Sequence, residues 1–303
     1  MAPIIEMSLL FRVLSRWPLR LLHAVGALLG WITFLASPTY RGRFRANVAQ
    51  AGLPWAAARP AIAAAGRMVT ELPWLWLRPD TEALGARLQW QGAERIDAAV
   101  AAGKGLLLLT PHLGSFEICA QAYAERCGAL APITVLFRPA RKAWIRGVVD
   151  ASRGRRHLET APANLAGVRQ MIRALRAGRT VGLLPDQVPP DGLGVWSPFF
   201  GKPAYTMTLA HRLVQQTGAA LVLLWGERLP KGRGYVVHVL DAPAISPELG
   251  PEAATAAVNA AMEGLIRRAP GQYLWGYHRY KKPRGLDIGA APPAAAPAAK
   301  DGQ

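Results

Sequence analysis

The chain has 303 residues, 51% of them hydrophobic and 18% charged, a balance that excludes a disordered polymer and supports one large domain or two modest ones. Its 36 Lys and Arg against 19 Asp and Glu leave a formal charge of +17, which points to anionic partners: nucleic acid, anionic lipid or phosphorylated substrates. Two cysteines, Cys119 and Cys127, exclude a disulfide scaffold and a multi-cysteine zinc or iron–sulfur site.

The first long, nearly uncharged stretch is residues 21–37, LLHAVGALLGWITFLAS. As a helix it would reach about 26 Å of a roughly 30 Å hydrocarbon core, which is borderline for spanning. Arg12, Arg16 and Arg20 precede it and Arg41, Arg43 and Arg45 follow it, so the flanks give no orientation signal, while Trp17 and Tyr40 stand where interfacial aromatics anchor a helix. The segment before it is long for a signal peptide and no A-x-A site follows. A buried core helix remains the other alternative. The expectation is an N-terminal membrane anchor over residues 1–40, either a short span or a helix embedded from one side, whose removal leaves a foldable domain.

From residue 93 onward strands and helices alternate. A helical pattern at Ala93–Ala102 is broken by Gly103-Lys104-Gly105, and Leu106–Thr110 comes next as a run with no polar alternation, as in a strand buried on both faces. Ile133–Phe137 is a second such run. A helix over Asn164–Ala177 precedes a strand at Thr180–Leu184, a helix at Met207–Gln216 precedes one at Ala220–Trp225, and Tyr235–Leu240 leads to a helix over Pro251–Arg268. The expected fold is α/β, a mostly parallel central sheet flanked by helices, with the anchoring helix in front. Pro283–Gln303, rich in Ala and Pro, is expected to be a disordered tail, leaving 41–282 as the catalytic domain. Ligands of such sheets bind beyond the carboxyl ends of the strands, which directs attention to the segments just after Leu109, Phe137 and Leu184.

After Leu109 comes Thr110-Pro111-His112-Leu113-Gly114-Ser115-Phe116-Glu117. On one continuous helix His112 and Glu117 would stand roughly 140° apart, so they meet only if His112 lies on a turn and Glu117 opens the next helix. Pro111 and Gly114 suit that turn and Ser115 suits the helix cap. A carboxylate that accepts a hydrogen bond from one imidazole nitrogen fixes the tautomer and leaves the other to take a proton, next to helix N–H groups that suit a developing oxyanion. Standing alone, an H-x4-E spacing is weak evidence, because a lone histidine is more often structural. No further ligand cluster lies near in sequence to complete a metal site, and the G-x-S-x-G elbow of a serine nucleophile is missing.

TPHLGSFE, followed in order by VLFRPARKAWI, GRTVGLLPDQ, SPFFGKPAYTMTLAHR and QYLWGYHRYKK, resembles the bacterial lipid A biosynthesis acyltransferases, the late lauroyl and myristoyl transferases of the broader glycerolipid acyltransferase superfamily. The resemblance runs from about residue 10 to 282 and includes the RGRFRANVAQAG stretch. It implies His112 as general base with Glu117 as its partner. Arg138 falls where the family has an arginine near the acyl carbonyl, and the resemblance implies that Gly114 and Ser115 border the oxyanion. Asp186, in LLPDQ, falls in a block at a strand end that shapes the site. The basic, aromatic stretch Tyr277–Lys282 suits anionic headgroups or a charged C-terminal face. The loop QVPPDGLGVW departs from well-known members and bears on acceptor identity.

The implied reaction moves a fatty acyl group from an acyl-carrier-protein thioester to a hydroxyl of an anionic glycolipid acceptor. That acceptor is a lipid A precursor of the Kdo-lipid IVA type, at the cytoplasmic face of the bacterial inner membrane, and no metal or other cofactor takes part. A lysophospholipid, an ornithine lipid and a phosphatidylinositol mannoside are the alternative acceptors. A nucleic-acid-binding module accounts for the charge but not for the apolar first 40 residues, and no nucleic-acid motif is found. A non-catalytic membrane scaffold does not need the His-Glu pair.

Overall fold

Four consecutive leucines, Leu106–Leu109, are buried on both sides of a sheet, and the fold is built outward from them. Leu107 and Leu109 enter one core cluster, Leu106 and Leu108 the other. The computed structural model describes residues 2–79, 81–137, 155–245, 248–283 and 285. Six N-terminal helices, α1 (Ala2–Ser15), α2 (Leu19–Ala36), α3 (Pro38–Gln50), α4 (Trp55–Ala58), α5 (Ala61–Thr70) and α6 (Leu72–Leu77), precede β1 (Leu88–Gln91). Then come α7 (Glu94–Ala101), β2 (Leu106–Leu109), α8 (Phe116–Cys127), β3 (Ile133–Phe137), β4 (Leu158–Pro162), α9 (Leu165–Arg176) and β5 (Thr180–Leu183). The chain continues through β6 (Gly194–Phe199), β7 (Lys202–Met207), α10 (Leu209–Thr217), β8 (Ala220–Arg228), β9 (Tyr235–Asp241) and α11 (Pro251–Arg268).

The seven-stranded sheet has the order β1-β9-β8-β2-β5-β3-β4. Every neighbouring pair is parallel except β8 and β9. The α/β fold with a mostly parallel sheet is thus the one expected. Asn164 caps α9 by accepting from the Gly167 N–H at 3.1 Å, and Gly218, at φ +67°, closes α10 in the left-handed conformation that an L side chain resists. Residues 194–207, which take in the end of the loop QVPPDGLGVW and the start of the helix expected at Met207, form an antiparallel hairpin of β6 and β7. Its two-residue turn, Phe200-Gly201, holds both residues at positive φ, the turn whose twist matches paired strands. Cys119 and Cys127 are free and buried; burial pushes their thiols up to about 12 and about 11. Of the tail expected to be disordered, all but Pro283 and Gly285 lie outside the described residues.

The apolar helix α2 has two faces. Leu19, Leu22, His23, Gly26, Gly30 and Phe34, spaced three and four apart, are buried. Leu21, Leu28, Leu29, Ile32 and Leu35 lie on the opposite side at 45% to 65% exposure, and Leu9, Leu10 and Val13 of α1 are exposed as well. The inward face crosses α5 at glycines: a Cβ on Gly66 would run into the Gly26 carbonyl and the Gly30 backbone nitrogen, and one on Gly30 into the Ile62 carbonyl. Close approach of two backbones is what small residues at a helix crossing permit. Gly66→Ala should therefore wedge the pair apart and cost about 1–3 kcal/mol, the usual range for overpacking a tight core, read as a lower urea midpoint. An unchanged midpoint would mean that the two backbones do not meet there.

Candidate functional site

Leu109 of β2 pairs with Leu183 of β5, and Thr110 N–H donates to the Leu183 carbonyl at 3.1 Å. His112 and Asp186 each lie three residues beyond those partners, so two parallel strands release them side by side at the carboxyl end of the sheet. The Asp186 carboxylate grips His112 twice. Its Oδ2 accepts from the His112 backbone N–H at 2.9 Å, and its Oδ1 stands 2.7 Å from Nδ1. Asp186 is 2% exposed. Burial works against its ionisation, but the facing imidazole, the two hydrogen bonds from His112 and the more distant Arg279 guanidinium together hold its carboxyl below the ordinary carboxylate range. An ionised carboxylate at Nδ1 fixes the proton there and leaves Nε2 as the acceptor. Gln187 Nε2 lies 3.0 Å from that nitrogen, and the Phe116 ring meets the imidazole edge-on with centroids 4.8 Å apart.

The turn that carries His112 is held from three sides. Leu274 N–H donates to the His112 carbonyl at 3.1 Å, Gly114 N–H to the Gln272 carbonyl at 3.0 Å, and Ser115 N–H to the Gly226 carbonyl at 2.8 Å. Gly114 has φ +60°, and a Cβ there would strike the Gly226 carbonyl, so glycine is required both by conformation and by space. Arg228 at the end of β8 donates through Nη2 to the Gly114 carbonyl at 3.0 Å.

Several sequence expectations change here. The carboxylate on the imidazole is Asp186, not Glu117. Glu117 opens α8 as expected, but its Oε2 accepts from the Trp76 indole at 3.2 Å on α6. Ser115 occupies the cap position of α8 without a capping hydrogen bond, and its side chain is buried. The Gly114 and Ser115 N–H groups, expected to border an oxyanion, are spent on backbone carbonyls, which leaves the first-turn N–H groups of α8 as the polar end of that helix. Arg138 lies outside the described residues. Among the described residues no group of three or more His, Cys, Asp or Glu could hold a metal ion.

Within the Tyr277–Lys282 stretch, Arg279 is turned inward and serves the structure. Arg279, 2% exposed, donates to the Tyr205 carbonyl at 2.8 Å and to Thr206 Oγ1, and it lies 4.8 Å from the Phe199 ring centroid. Sequence reasoning also missed a buried ionic network behind the turn. Glu71, between α5 and α6, is 1% exposed and accepts from Arg228 Nε and Nη2 at 2.7 and 2.6 Å and from Tyr235 Oη at 3.1 Å, with His23 Nε2 of α2 at 3.0 Å. These four residues are scattered from position 23 to position 235, and no local pattern announces their meeting.

An imidazole with its tautomer fixed by a buried carboxylate, beside a helix N-terminus at the carboxyl ends of a parallel sheet, is an arrangement chemically able to draw a proton from a hydroxyl. Residues 9–282 match the family described as bacterial lipid A biosynthesis acyltransferase, and the chain belongs to that family. It is similar to the lipid A biosynthesis lauroyltransferase of Escherichia coli, 30% identical over 224 residues that cover 73% of this chain and 70% of the relative. The lipid A biosynthesis palmitoleoyltransferase of Escherichia coli is 26% identical over 221 residues, 70% of this chain and 66% of that protein. The phosphatidylinositol mannoside acyltransferase of Mycobacterium tuberculosis is 28% identical over 155 residues, half of this chain and 47% of that protein.

Proposed function

We propose that this protein transfers a fatty acyl group from an acyl-carrier-protein thioester to a hydroxyl of a lipid A precursor of the Kdo-lipid IVA type, at the cytoplasmic face of the bacterial inner membrane. The observation that supports this most directly is the His112 imidazole, anchored at Nδ1 by Asp186 with Nε2 turned to Gln187. An aliphatic hydroxyl is a poor nucleophile at neutral pH, and a positioned base removes its proton as the new bond forms. In the proposed reaction an acceptor hydroxyl takes the place of the Gln187 amide at Nε2. Its oxygen attacks the thioester carbonyl while its proton passes to Nε2, and as the carbon–sulfur bond breaks the proton goes on to the departing thiolate. Asp186 balances the imidazolium that exists between those steps. The first-turn N–H groups of α8, with Arg138 as the resemblance implies, hold the carbonyl oxygen as it gains charge. Glu117 acts on the imidazolium across space, from the first turn of α8.

The exposed apolar face shared by α1 and α2 supports seating on a membrane that carries the acceptor. With the opposite face of α2 committed to α5, the helix lies against one leaflet in this reading. The net charge of +17 suits an anionic leaflet, an acidic carrier protein and a phosphorylated acceptor.

Mass spectrometry of membrane lipids from cells with and without this chain tests the proposal. The expected result is a lipid A species heavier by one acyl group only when the chain is present. An added acyl group on a phosphatidylinositol mannoside or an ornithine lipid, with lipid A unchanged, would replace the acceptor and leave the chemistry standing.

A further inference from the structure

A second polar feature lies on the far wall of the catalytic turn. A cleft of about 530 Å³ opens where the start of α2, the body of α5 and the turn between β8 and β9 meet. Arg20 contributes from α2, Arg67 from α5, Lys231 from the β8–β9 turn, and Arg228 from the end of β8. The lining contains four permanent cations and no carboxylate. Glu71 neutralises Arg228 from behind, yet it does not line the cleft, and among the described residues Arg20, Arg67 and Lys231 make no ion pair. Arg228 is 5% exposed, and its Nη1 has no hydrogen-bond partner among the described residues. Arg67 carries the mark of this crowding: burial, and then the Arg228 charge, push its guanidinium below the ordinary arginine value despite Glu71.

With Glu71 the one carboxylate behind four cations, the remaining like charges repel one another, and such an arrangement is relieved by an anion. The place of the cleft says which kind of anion. Ala24 both lines it and belongs, with Leu21 and Leu28, to the outward stripe of α2, so the cleft opens along the edge of the apolar face. A helix seated on a leaflet by that face puts an adjoining cationic cleft at the level of the headgroups. Arginine guanidinium groups present paired N–H donors that match phosphate oxygens, and the volume takes a phosphate with the glycerol or sugar that bears it.

We propose that this cleft is a binding site for the phosphate group of an anionic membrane lipid. The proposal rests on the membrane seating of α1 and α2 but not on the acyl transfer reaction. Arg228 spans the two sites, because the guanidinium facing the cleft also holds the Gly114 carbonyl of the catalytic turn.

Binding of the full chain to vesicles tests this without donor or acceptor substrate, so its failure leaves the acyl transfer reading untouched. The probe is a phosphatidylcholine vesicle carrying about 20 mol% phosphatidic acid, an anionic surface that attracts Lys and Arg side chains near it. The combined variant Arg20→Gln, Arg67→Gln, Lys231→Gln should bind at least about tenfold more weakly than a charge-matched control, Arg169→Gln, Arg173→Gln, Arg176→Gln, which removes three exposed arginines from α9. Inorganic phosphate at constant ionic strength should weaken vesicle binding of the unaltered chain and have little effect on the cleft variant. Equal losses from the two triple variants would reduce the cleft to general basicity and overturn the proposal. Micromolar binding of inorganic phosphate alone, unchanged by vesicles, would assign the cleft to a soluble phosphate and overturn the lipid. Should the triple variant unfold through the half-buried Arg67, the pair Arg20→Gln, Lys231→Gln, both exposed, carries the same comparison.

Discussion

His112→Ala should abolish acyl transfer while the protein stays folded and membrane bound. The imidazole, 16% exposed, supplies a proton acceptor rather than core volume, and loss of a positioned general base costs about 10²- to 10⁴-fold. Asp186→Asn should cost almost as much. An amide at this position can donate to Nδ1, which would move the imidazole proton to Nε2, the atom that must accept, and it carries no charge to balance an imidazolium. Glu117→Ala should cost less, since its carboxylate accepts from the Trp76 indole while Asp186 is the carboxylate on the imidazole. The order of the three variants in kcat/KM, measured with a detergent-dispersed acceptor, separates the two carboxylates. A fully active Asp186→Asn beside a dead Glu117→Ala would show that the working enzyme orients His112 through Glu117. Retention of most turnover by His112→Ala would remove the base altogether.

That order could not have been read from the chain alone. The sequence shows the strand Leu106–Leu109, its exit at Pro111 and the next helix, because a run of four leucines directly after Gly105 and a turn-forming PHLGS are local signals. It therefore locates His112 and Glu117 on the right elements. What it hides is which strand lies beside β2. The next strand in the chain is β3, but β5 is inserted between them, and only that crossover sets Asp186, 74 residues away, against the imidazole. A spacing of five residues is visible in a sequence, whereas a parallel register is a property of the finished sheet. The same reasoning covers the hairpin. Residues 194–207 contain two prolines and two aromatic pairs with no clean alternation, and they pair because Phe200 and Gly201 accept positive φ in the turn. In α2 the apolar composition was plain, but its division into an inward face with two glycines and an outward leucine face becomes meaningful only once α5 is found lying against it.

Glu71→Gln should be the most destabilising single change outside the catalytic turn. The carboxylate is ringed by Arg228, His23 and Tyr235, and removing its charge leaves the Arg228 guanidinium buried with no ionised partner, a loss of about 3–5 kcal/mol against a total of about 5–15 for a typical domain. The same network makes stability depend on acidity. Burial opposes ionisation of Glu71, but the Arg228 charge and hydrogen bond, helped by His23, overcome it and hold the carboxyl at about 2, below its ordinary 4.5. Because the folded value is depressed, the contribution is fully present above about pH 4.5 and is lost as pH falls toward 2. Its size, at about 1.4 kcal/mol per unit, is on the order of 3 kcal/mol. Urea midpoints taken from pH 6 down to pH 3 should fall steeply for the unaltered chain and less for Glu71→Gln. A variant within about 1 kcal/mol of the unaltered chain at pH 7 would mean that the network adds no net stability, as replacement of some buried ion pairs does. The network also alters the expected outcome of truncation. Deleting residues 1–39 takes away His23 from Glu71, together with Leu22 and Phe34 from the two core clusters, and uncovers the face of α5 around Ile62 and Gly66. The expected product is therefore insoluble rather than a free-standing catalytic domain. Since Glu71 holds His23 of α2 and also Arg228, whose Nη2 reaches the Gly114 carbonyl, α2 and the turn that carries His112 are linked through one buried ion pair, and a change at Glu71 should lower kcat even where the protein remains folded.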